Sequence, residues 1–333
     1  MIKIAVDAMG GDNAPQAIVE GVNKAIETFD DIHIQLYGDQ EKINQYLKAN
    51  PRVSVLQTTE VITGEDEPVK AVRRKKDASM VVAAKAVKAG EADALVSAGN
   101  TGGLLATGLL VVGRIKNIDR PGLMPILPTF SLEHKHLILM DAGANADTKV
   151  ENLHQFAILA NYYAKKVLNI ENPRIGLVNN GTEEGKGNEL TKQAYELLKN
   201  DTSLNFYGNI EASTILNGLV DIAIVDGFTG NAILKTLEGT ARNIFRALKD
   251  VLLNSGIKAK LGGLLVKDAL GSLRDNFDDT KEGGAVMLGV KAPVIKAHGS
   301  SNGEAFYNAI RQARKVVQTD VVNDISNYFE SEK

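Results

Sequence analysis

The chain has 333 residues, 44% of them hydrophobic, enough for a large core in one big domain or two smaller ones. A net charge of -3, with 24% charged residues, argues against general nucleic-acid binding. Cysteine is absent, which excludes disulfides, thiolate metal sites and a cysteine nucleophile; a reducing compartment fits but is not proved.

The opening MIKIAVDAMGGD has one early lysine and an apolar run too short for a secretory signal, so a cytoplasmic protein is expected. No apolar stretch reaches the roughly 18 residues that a membrane span needs. Six apolar runs each turn small, polar and Gly-rich. Ile2–Val6 leads into Asp7-Ala-Met-Gly-Gly-Asp12, and Ala94–Val96 into Ser97-Ala-Gly-Asn-Thr-Gly102. Leu137–Met140 leads into Asp141-Ala-Gly-Ala-Asn145, and Ile175–Val178 into NNGTEEGKGNEL. Ile222–Val225 leads into Asp226-Gly-Phe-Thr-Gly-Asn231, and Pro293–Lys296 into Ala297-His-Gly-Ser-Ser301. Between them, apolar residues recur at helical spacing: Val150, Leu153, Ala157, Ala160, Ala164 and Val167, then Leu234, Leu237, Ala241, Ile244, Leu248 and Leu252. A last helix carries Phe306, Ile310, Ala313 and Val317, with Ser301-x-x-Glu304 before it as a candidate capping box. Short apolar runs without alternation predict strands buried on both faces of a parallel sheet. Strands alternating with helices predict an α/β fold with helices on both faces. No linker divides the chain, so one domain over residues 1–333 is expected.

In such folds ligands bind at the carboxyl ends of strands, and all six Gly-rich segments are expected at that edge. Such loops let backbone N–H groups approach an anion, with a helix N-terminus behind them. Tight turns alone also require glycine. The stretch around Lys186 is not a Walker A loop: Gly181 to Gly185 is one residue short, and Gly187 stands where a Ser or Thr should follow the lysine. DAMGGDNAP and SAGNTGGLLATG both lack the G-x-G-x-x-G dinucleotide fingerprint. Gly299-Ser-Ser-Asn-Gly303 fits G-x-S-x-G, but no histidine follows position 298, and a turn with Ser301 as N-cap explains it. Of the histidines His33, His134, His136, His154 and His298, only His134 and His136 are close, on one face of an expected strand. Asp7, Asp12, Asp141 and Asp226 at strand ends either bind a divalent ion or fix turns through loop amides. No metal site and no cofactor is expected.

VDAMGGD, SAGNTG, NNGTEEGKGNEL, DGFTGN and KAPVIKAHGSS, in this order, resemble the bacterial phosphate acyltransferases of glycerolipid synthesis, the PlsX family. The resemblance runs from Lys3 to about Val317. It implies a three-layer α/β/α sandwich with a mostly parallel sheet, similar to isocitrate and isopropylmalate dehydrogenases and phosphotransacetylases, and a homodimer. It implies transfer of a long-chain acyl group from the thioester of acyl carrier protein to inorganic phosphate, with the acyl phosphate handed to a membrane acyltransferase. A phosphate dianion is already a nucleophile, so the enzyme's task is positioning and oxyanion stabilisation. Backbone amides, Asn, Thr and one lysine suit that task.

On this reading Lys186 and Asn231 are the catalytic candidates: Lys186 for phosphate or the developing oxyanion, Asn231 for the thioester carbonyl. A solvated loop lysine and an ordinary N-cap are the bland alternatives. Ser97, Asn100, Thr101 and Gly102 form a second anion cradle, and Asn180, Thr182, Asp226, His298 and Ser300 are further phosphate- or substrate-binding candidates. Acyl carrier proteins are acidic, and VKAVRRKKDAS offers a basic patch, with Arg73 and Arg74 as docking candidates; a solvated charge run and phosphate steering are the alternatives. Residues 248–278 are read as a hydrophobic helical excursion that changes face near Gly262-Gly263, as two short helices with a hinge. Leu261, Leu264 and Leu265, flanked by lysines, are its candidate membrane contacts, with a dimer contact, a lid over an acyl chain or plain packing as alternatives. Two other functions stay open: phosphotransacetylase-like transfer between a short acyl-CoA and phosphate, and a non-catalytic anion-binding protein at a membrane surface.

Overall fold

The computed structural model describes residues 1–276 and 283–331. The chain opens with β1 (Ile2–Asp7), α1 (Gln16–Thr28), β2 (Ile32–Gly38), α2 (Gln40–Asn44), β3 (Val53–Gln57), α3 (Pro68–Arg74), α4 (Ser79–Lys88), β4 (Ala94–Ser97) and α5 (Thr101–Thr107). It continues with β5 (Gly122–Met124), β6 (Ile126–Pro128), β7 (His136–Met140), α6 (Val150–Lys166), β8 (Arg174–Asn179), α7 (Glu189–Asn200), β9 (Asn205–Glu211), β10 (Ile222–Ile224) and α8 (Gly227–Asn254). It closes with α9 (Ile257–Asn276), β11 (Ala285–Leu288), β12 (Val294–Lys296), α10 (Gly303–Gln318) and α11 (Val321–Ser331).

The strands form a seven-stranded sheet, β3-β2-β1-β4-β12-β11-β5, and a five-stranded sheet, β6-β7-β10-β8-β9. Successive residues of the central strands are buried on opposite faces. Ile4, Val6, Val96, Ile138, Met140, Ile222 and Ile224 pack with α1, α6 and α10 in one core that runs under both sheets. Ala5 and Leu95 pack with α4 and α5 on the other face of the first sheet. Leu137, Leu139, Ala223 and Val225 pack beneath Ile233, Leu234 and Leu237 of α8. The result is the expected three-layer α/β/α sandwich, built from apolar runs too short for helices and buried on both sides.

Strand direction corrects one expectation. β5 and β12 each run antiparallel to β11, so β5 runs with β12, β4 and β1. The stretch from β5 through β6 then pairs antiparallel with β7, through Ala142 N–H to Leu123 O at 2.8 Å, Leu139 N–H to Pro125 O at 3.2 Å and the β6–β7 ladder. β10 and β8 follow β7 in parallel. The second sheet therefore runs opposite to the first, and the Gly-rich segments fall into two groups rather than one. Those after β1, β4 and β12 follow strands of one direction, and those after β7, β8 and β10 follow strands of the other.

Two local readings also change. α9 passes straight through Gly262-Gly263; the break with α8 lies at Ser255-Gly256, where Gly256 has φ +90, a conformation that other residues rarely adopt. The expected excursion over 248–278 is thus the end of a 28-residue helix followed by a second helix; residues 277 and 278 lie outside the described ones. His134 is in the turn before β7 rather than on the strand, with Nδ1 3.4 Å from Asp221 Oδ1.

At the amino ends of β8 and β10, Arg174 clamps Asp221. Its Nε and Nη2 donate to the two carboxylate oxygens at 3.0 Å each, and its backbone N–H donates at 2.8 Å. Burial pushes the Asp221 pKa up, but the Arg174 bonds outweigh it and hold the carboxyl below its ordinary value. Asp221→Asn should cost about 3 kcal/mol at neutral pH by urea denaturation, since it leaves a half-buried guanidinium unpaired. The folded pKa is depressed, so this stabilisation is present above the unfolded value of 3.8 and is lost as pH falls through the folded one. The gap between variant and wild type should close in that range.

Candidate active site

Two groups of loops carry the candidate residues. The first lies after β1, β4 and β12. Asp7, Ser97 and Lys296 stand abreast as the last residues of these strands. Asp7 is 1% exposed and accepts the hydroxyls of Ser79 and Ser97 at 2.6 Å each. Burial raises its pKa; the two hydroxyls and the N–H groups of Met9 and Gly10 oppose that rise. Ser97 is fully buried and also accepts the Gly99 N–H at 3.0 Å, so its hydroxyl is committed to the scaffold rather than offered to a ligand. Asn100 caps α5, its Oδ1 accepting the Gly103 N–H at 2.7 Å. Thr101 is exposed beside it, and Gly102 packs against Pro68 of α3. Arg73 and Arg74 end that same helix, exposed and without a partner among the described residues, so the basic patch lies next to this loop.

His298 Nδ1 lies 2.8 Å from Ser300 Oγ and accepts the Ser300 N–H at 3.2 Å. A ring nitrogen that accepts a backbone N–H carries no proton, which places the proton of the neutral ring on Nε2. The capping box expected at Ser301 does not form: Asn302 caps α10 by accepting the Ala305 N–H at 2.9 Å. The Ser301 hydroxyl is instead buried without a hydrogen-bond partner among the described residues.

The second group lies after β7, β10 and β8. These strands are adjacent in that order, so their loops are neighbours. The buried Asp141 carboxylate accepts the N–H groups of Gly143, Ala144 and Asn145 at 3.2, 3.0 and 2.8 Å, and that of Leu123 at 2.9 Å. Asp226 caps α8, accepting the Thr229 N–H at 2.9 Å. Asp7, Asp141 and Asp226 thus fix turns, whereas Asp12 has no such bond through its side chain. With Asp226 as N-cap, Asn231 is no cap: it sits five residues into α8, exposed, with its side chain against Gly143. Gly230 is what allows this approach, because a Cβ there would strike the Asp141 backbone oxygen.

On the neighbouring loop the Lys186 side chain is exposed and lies over Gly181. Its ammonium has no partner among the described residues. Its backbone is fixed: Asn179 Nδ2 donates to Lys186 O at 3.1 Å and to Asn209 Oδ1 at 3.1 Å, and Asn209 Nδ2 donates to Glu183 O at 2.9 Å. Asn180 and Thr182 are exposed on the same loop. Asn188 caps α7 behind it, accepting the Thr191 N–H at 2.9 Å. Asn209, on β9, lies outside every motif of the sequence; Lys296 lies inside one, KAPVIKAHGSS, with nothing local to mark its burial.

The two groups approach each other through α8. Lys235, one turn past Asn231 and paired with Glu238 at 2.7 Å, is near enough to depress the Lys296 pKa. Lys186, on the loop after β8, and Asn231, in the second turn of α8 after β10, belong to the second group. Ser97, Asn100, Thr101, His298 and Ser300 belong to the first. The arrangement offers an exposed cation and a carboxamide on one side, a buried cation on the other, and helix α8 between them.

The chain is similar to known proteins over its full length. The family model for a fatty acid synthesis protein matches residues 2–324. Phosphate acyltransferases of Streptococcus pneumoniae strains JJA and Hungary19A-6 are 57% identical over 332 residues, which is 100% of this chain and 100% of theirs. Among solved structures, a phosphotransacetylase from Streptococcus pyogenes superposes with a TM-score of 0.60 at 16% identity, over 96% of this chain and 94% of that one. A branched-chain phosphotransacylase from Enterococcus faecalis V583 gives 0.56 at 15% identity, over 95% and 99%. A 4-hydroxythreonine-4-phosphate dehydrogenase from Klebsiella pneumoniae gives 0.52 at 12% identity, over 96% and 99%. At these identities the structures share the fold alone. By the family match and the full-length identity, the chain belongs to the fatty acid synthesis protein family, that of the phosphate acyltransferases, and is an acyltransferase.

Proposed function

We propose that the chain transfers a long-chain acyl group from the thioester of acyl carrier protein to inorganic phosphate, giving an acyl phosphate for phospholipid synthesis. The observation that carries the reading is Lys186: an exposed ammonium without a partner among the described residues, on a loop pinned by Asn179 and Asn209, next to the start of α8 that presents Asn231. A phosphate oxygen attacks the thioester carbonyl carbon, and the negative charge moves to the carbonyl oxygen. The Asn231 amide and the Lys186 ammonium donate to that oxyanion. Collapse re-forms the carbonyl, breaks the C–S bond and releases the carrier thiolate, which takes a proton from solvent. No acyl-enzyme is needed, because phosphate is itself the nucleophile. Asn180, Thr182 and Thr101 are exposed and free to contact substrate; Ser97, Asn100 and Asp226 act by holding their loops.

The charge and surface of the chain fit its proposed partners. Arg73 and Arg74 on α3 dock the acidic carrier protein. Leu261, Leu264 and Leu265 are 59%, 70% and 86% exposed on α9, an apolar face suited to an anionic membrane surface, where the product would be handed to a membrane acyltransferase. No helix among the described residues is long and apolar enough to cross a membrane, so this contact would be peripheral. The active form is a homodimer working from the cytoplasm.

Lys186→Ala should lower acyl-phosphate formation by about a hundred- to a thousandfold, the usual loss for one oxyanion donor, with an unchanged melting temperature because its ammonium holds nothing in the fold. Turnover near wild type would refute the assignment. Long-chain acyl carrier protein and short acyl-CoA, assayed side by side as donors, separate this reading from a phosphotransacetylase-like one. Arg73→Glu with Arg74→Glu should raise KM for the carrier-protein donor and leave kcat nearly unchanged, more strongly at low salt. In liposome flotation with anionic vesicles, Leu264→Glu with Leu265→Glu should reduce the bound fraction severalfold; equal flotation would remove α9 from the membrane contact.

A further inference from the structure

One charged group at the edge of the first sheet has no part in the reaction so far. Lys296 is 9% exposed, and its ammonium donates to Ala98 O at 3.5 Å and to Ala297 O. Both acceptors are neutral. Among the described residues no carboxylate lies within ion-pair distance, and the nearby Asp7 is occupied by Ser79 and Ser97. A buried cation held only by carbonyls is a standing cost to the fold. Burial accordingly pushes the Lys296 pKa down to about 8; Lys235 adds to the fall, and Asp7 and Asp12 oppose it. Folding gives no reason to keep such a charge, whereas an anionic ligand does.

The surroundings are built for one. Asp12 N–H donates to Gly299 O at 2.8 Å, Asn13 Nδ2 donates to Ser300 O and Ser301 O at 3.2 Å each, and Ala297 N–H donates to Ser97 O at 2.9 Å. Three loops are thereby fastened together around the two carbonyls that hold the ammonium. The unpartnered Ser301 hydroxyl lies on one of them. We propose that Lys296 is the phosphate-binding cation: its ammonium, where the loops after β1, β4 and β12 meet, holds the phosphate, which leaves Lys186 to the thioester oxyanion. This assignment rests on the reading of the reaction as acyl transfer to phosphate.

A bound dianion favours the ammonium, so phosphate affinity should fall as pH rises through about 8. The charged groups facing Lys296 are Asp7 on β1, Asp12 on the loop after it and Lys235 on α8, with His298 two residues along its own loop. For stability the sign is opposite. The folded pKa lies below the unfolded 10.5, so the native state gains stability as pH rises between about 8 and that value.

The test pairs thermal melting, with and without inorganic phosphate, with steady-state acyl-phosphate formation. Lys296→Met should melt at or above the wild-type temperature without phosphate. It should lose the phosphate-induced rise and show at least a tenfold higher KM for phosphate, with KM for the acyl thioester unchanged. Lys296→Arg keeps the charge and should retain phosphate binding while losing the fall above pH 8. A wild-type KM for phosphate in Lys296→Met overturns the assignment and leaves the reaction standing. A wild-type protein that makes no acyl phosphate, yet whose phosphate-induced stabilisation vanishes in Lys296→Met, overturns the reaction and keeps the anion site. No phosphate-induced stabilisation in the wild type, with no acyl phosphate formed, overturns both.

Discussion

The Asp141 carboxylate is the point on which the arrangement turns. It is buried at the end of β7 and accepts one N–H from Leu123, on the outermost strand of the other sheet, and three from its own loop. A carboxylate in such a place is tolerable only because donors surround it. The same bonds join the two sheets where their directions reverse and shape the 142–145 turn. That turn in turn receives the start of α8 and the side chain of Asn231. One buried acid thus couples the seam of the fold to the position of the Asn231 side chain, with Gly230 as the backbone that fits the space left.

Charge is distributed unequally between the two halves. On the second sheet the cation is outside and exposed, with its backbone pinned by two asparagines. On the first it is inside, immobilised by two carbonyls and short of a counter-charge. The exposed lysine costs the fold almost nothing and is free to follow charge as it develops in a transition state. The buried one is expensive and fixed before any substrate arrives, as a preorganised binding charge must be. On the proposed reading the buried one meets an anion present from the start, and the exposed one an anion that appears only on attack.

The layers, most helices and the loop that carries Lys186 are legible in the sequence, because they follow from short-range pattern: buried apolar runs, 3.6-residue spacing, glycine after strands. The rest depends on contacts distant in the chain. That β7 runs against β5 is decided by pairing across the 122–142 segment, which no local pattern encodes. Lys296 ends an apolar run and reads as the solvated end of a strand; its burial comes from loops nearly 200 and 300 residues earlier in the chain, those carrying Ala98 and Asp12. Ser301 and Asn302 are both good caps, and the choice between them rests on how the β12 loop docks onto Asn13. At Gly262-Gly263 the sequence offers a break that the helix declines: a helical glycine costs only about 1 kcal/mol, and the chain turns at Gly256 instead.

Helix α8 has a geometric consequence. It is unbroken from Gly227 to Asn254, and Gly263 of α9 packs back against its Leu252. At a rise of about 1.5 Å per residue, the exposed leucines next to Gly263 lie roughly 30 Å along the rod from Asn231. One leaflet of a bilayer core, the depth that an acyl chain fills, is about half that distance. The rod is thus a spacer: it sets Asn231 and the exposed leucines of α9 farther apart than one leaflet is deep.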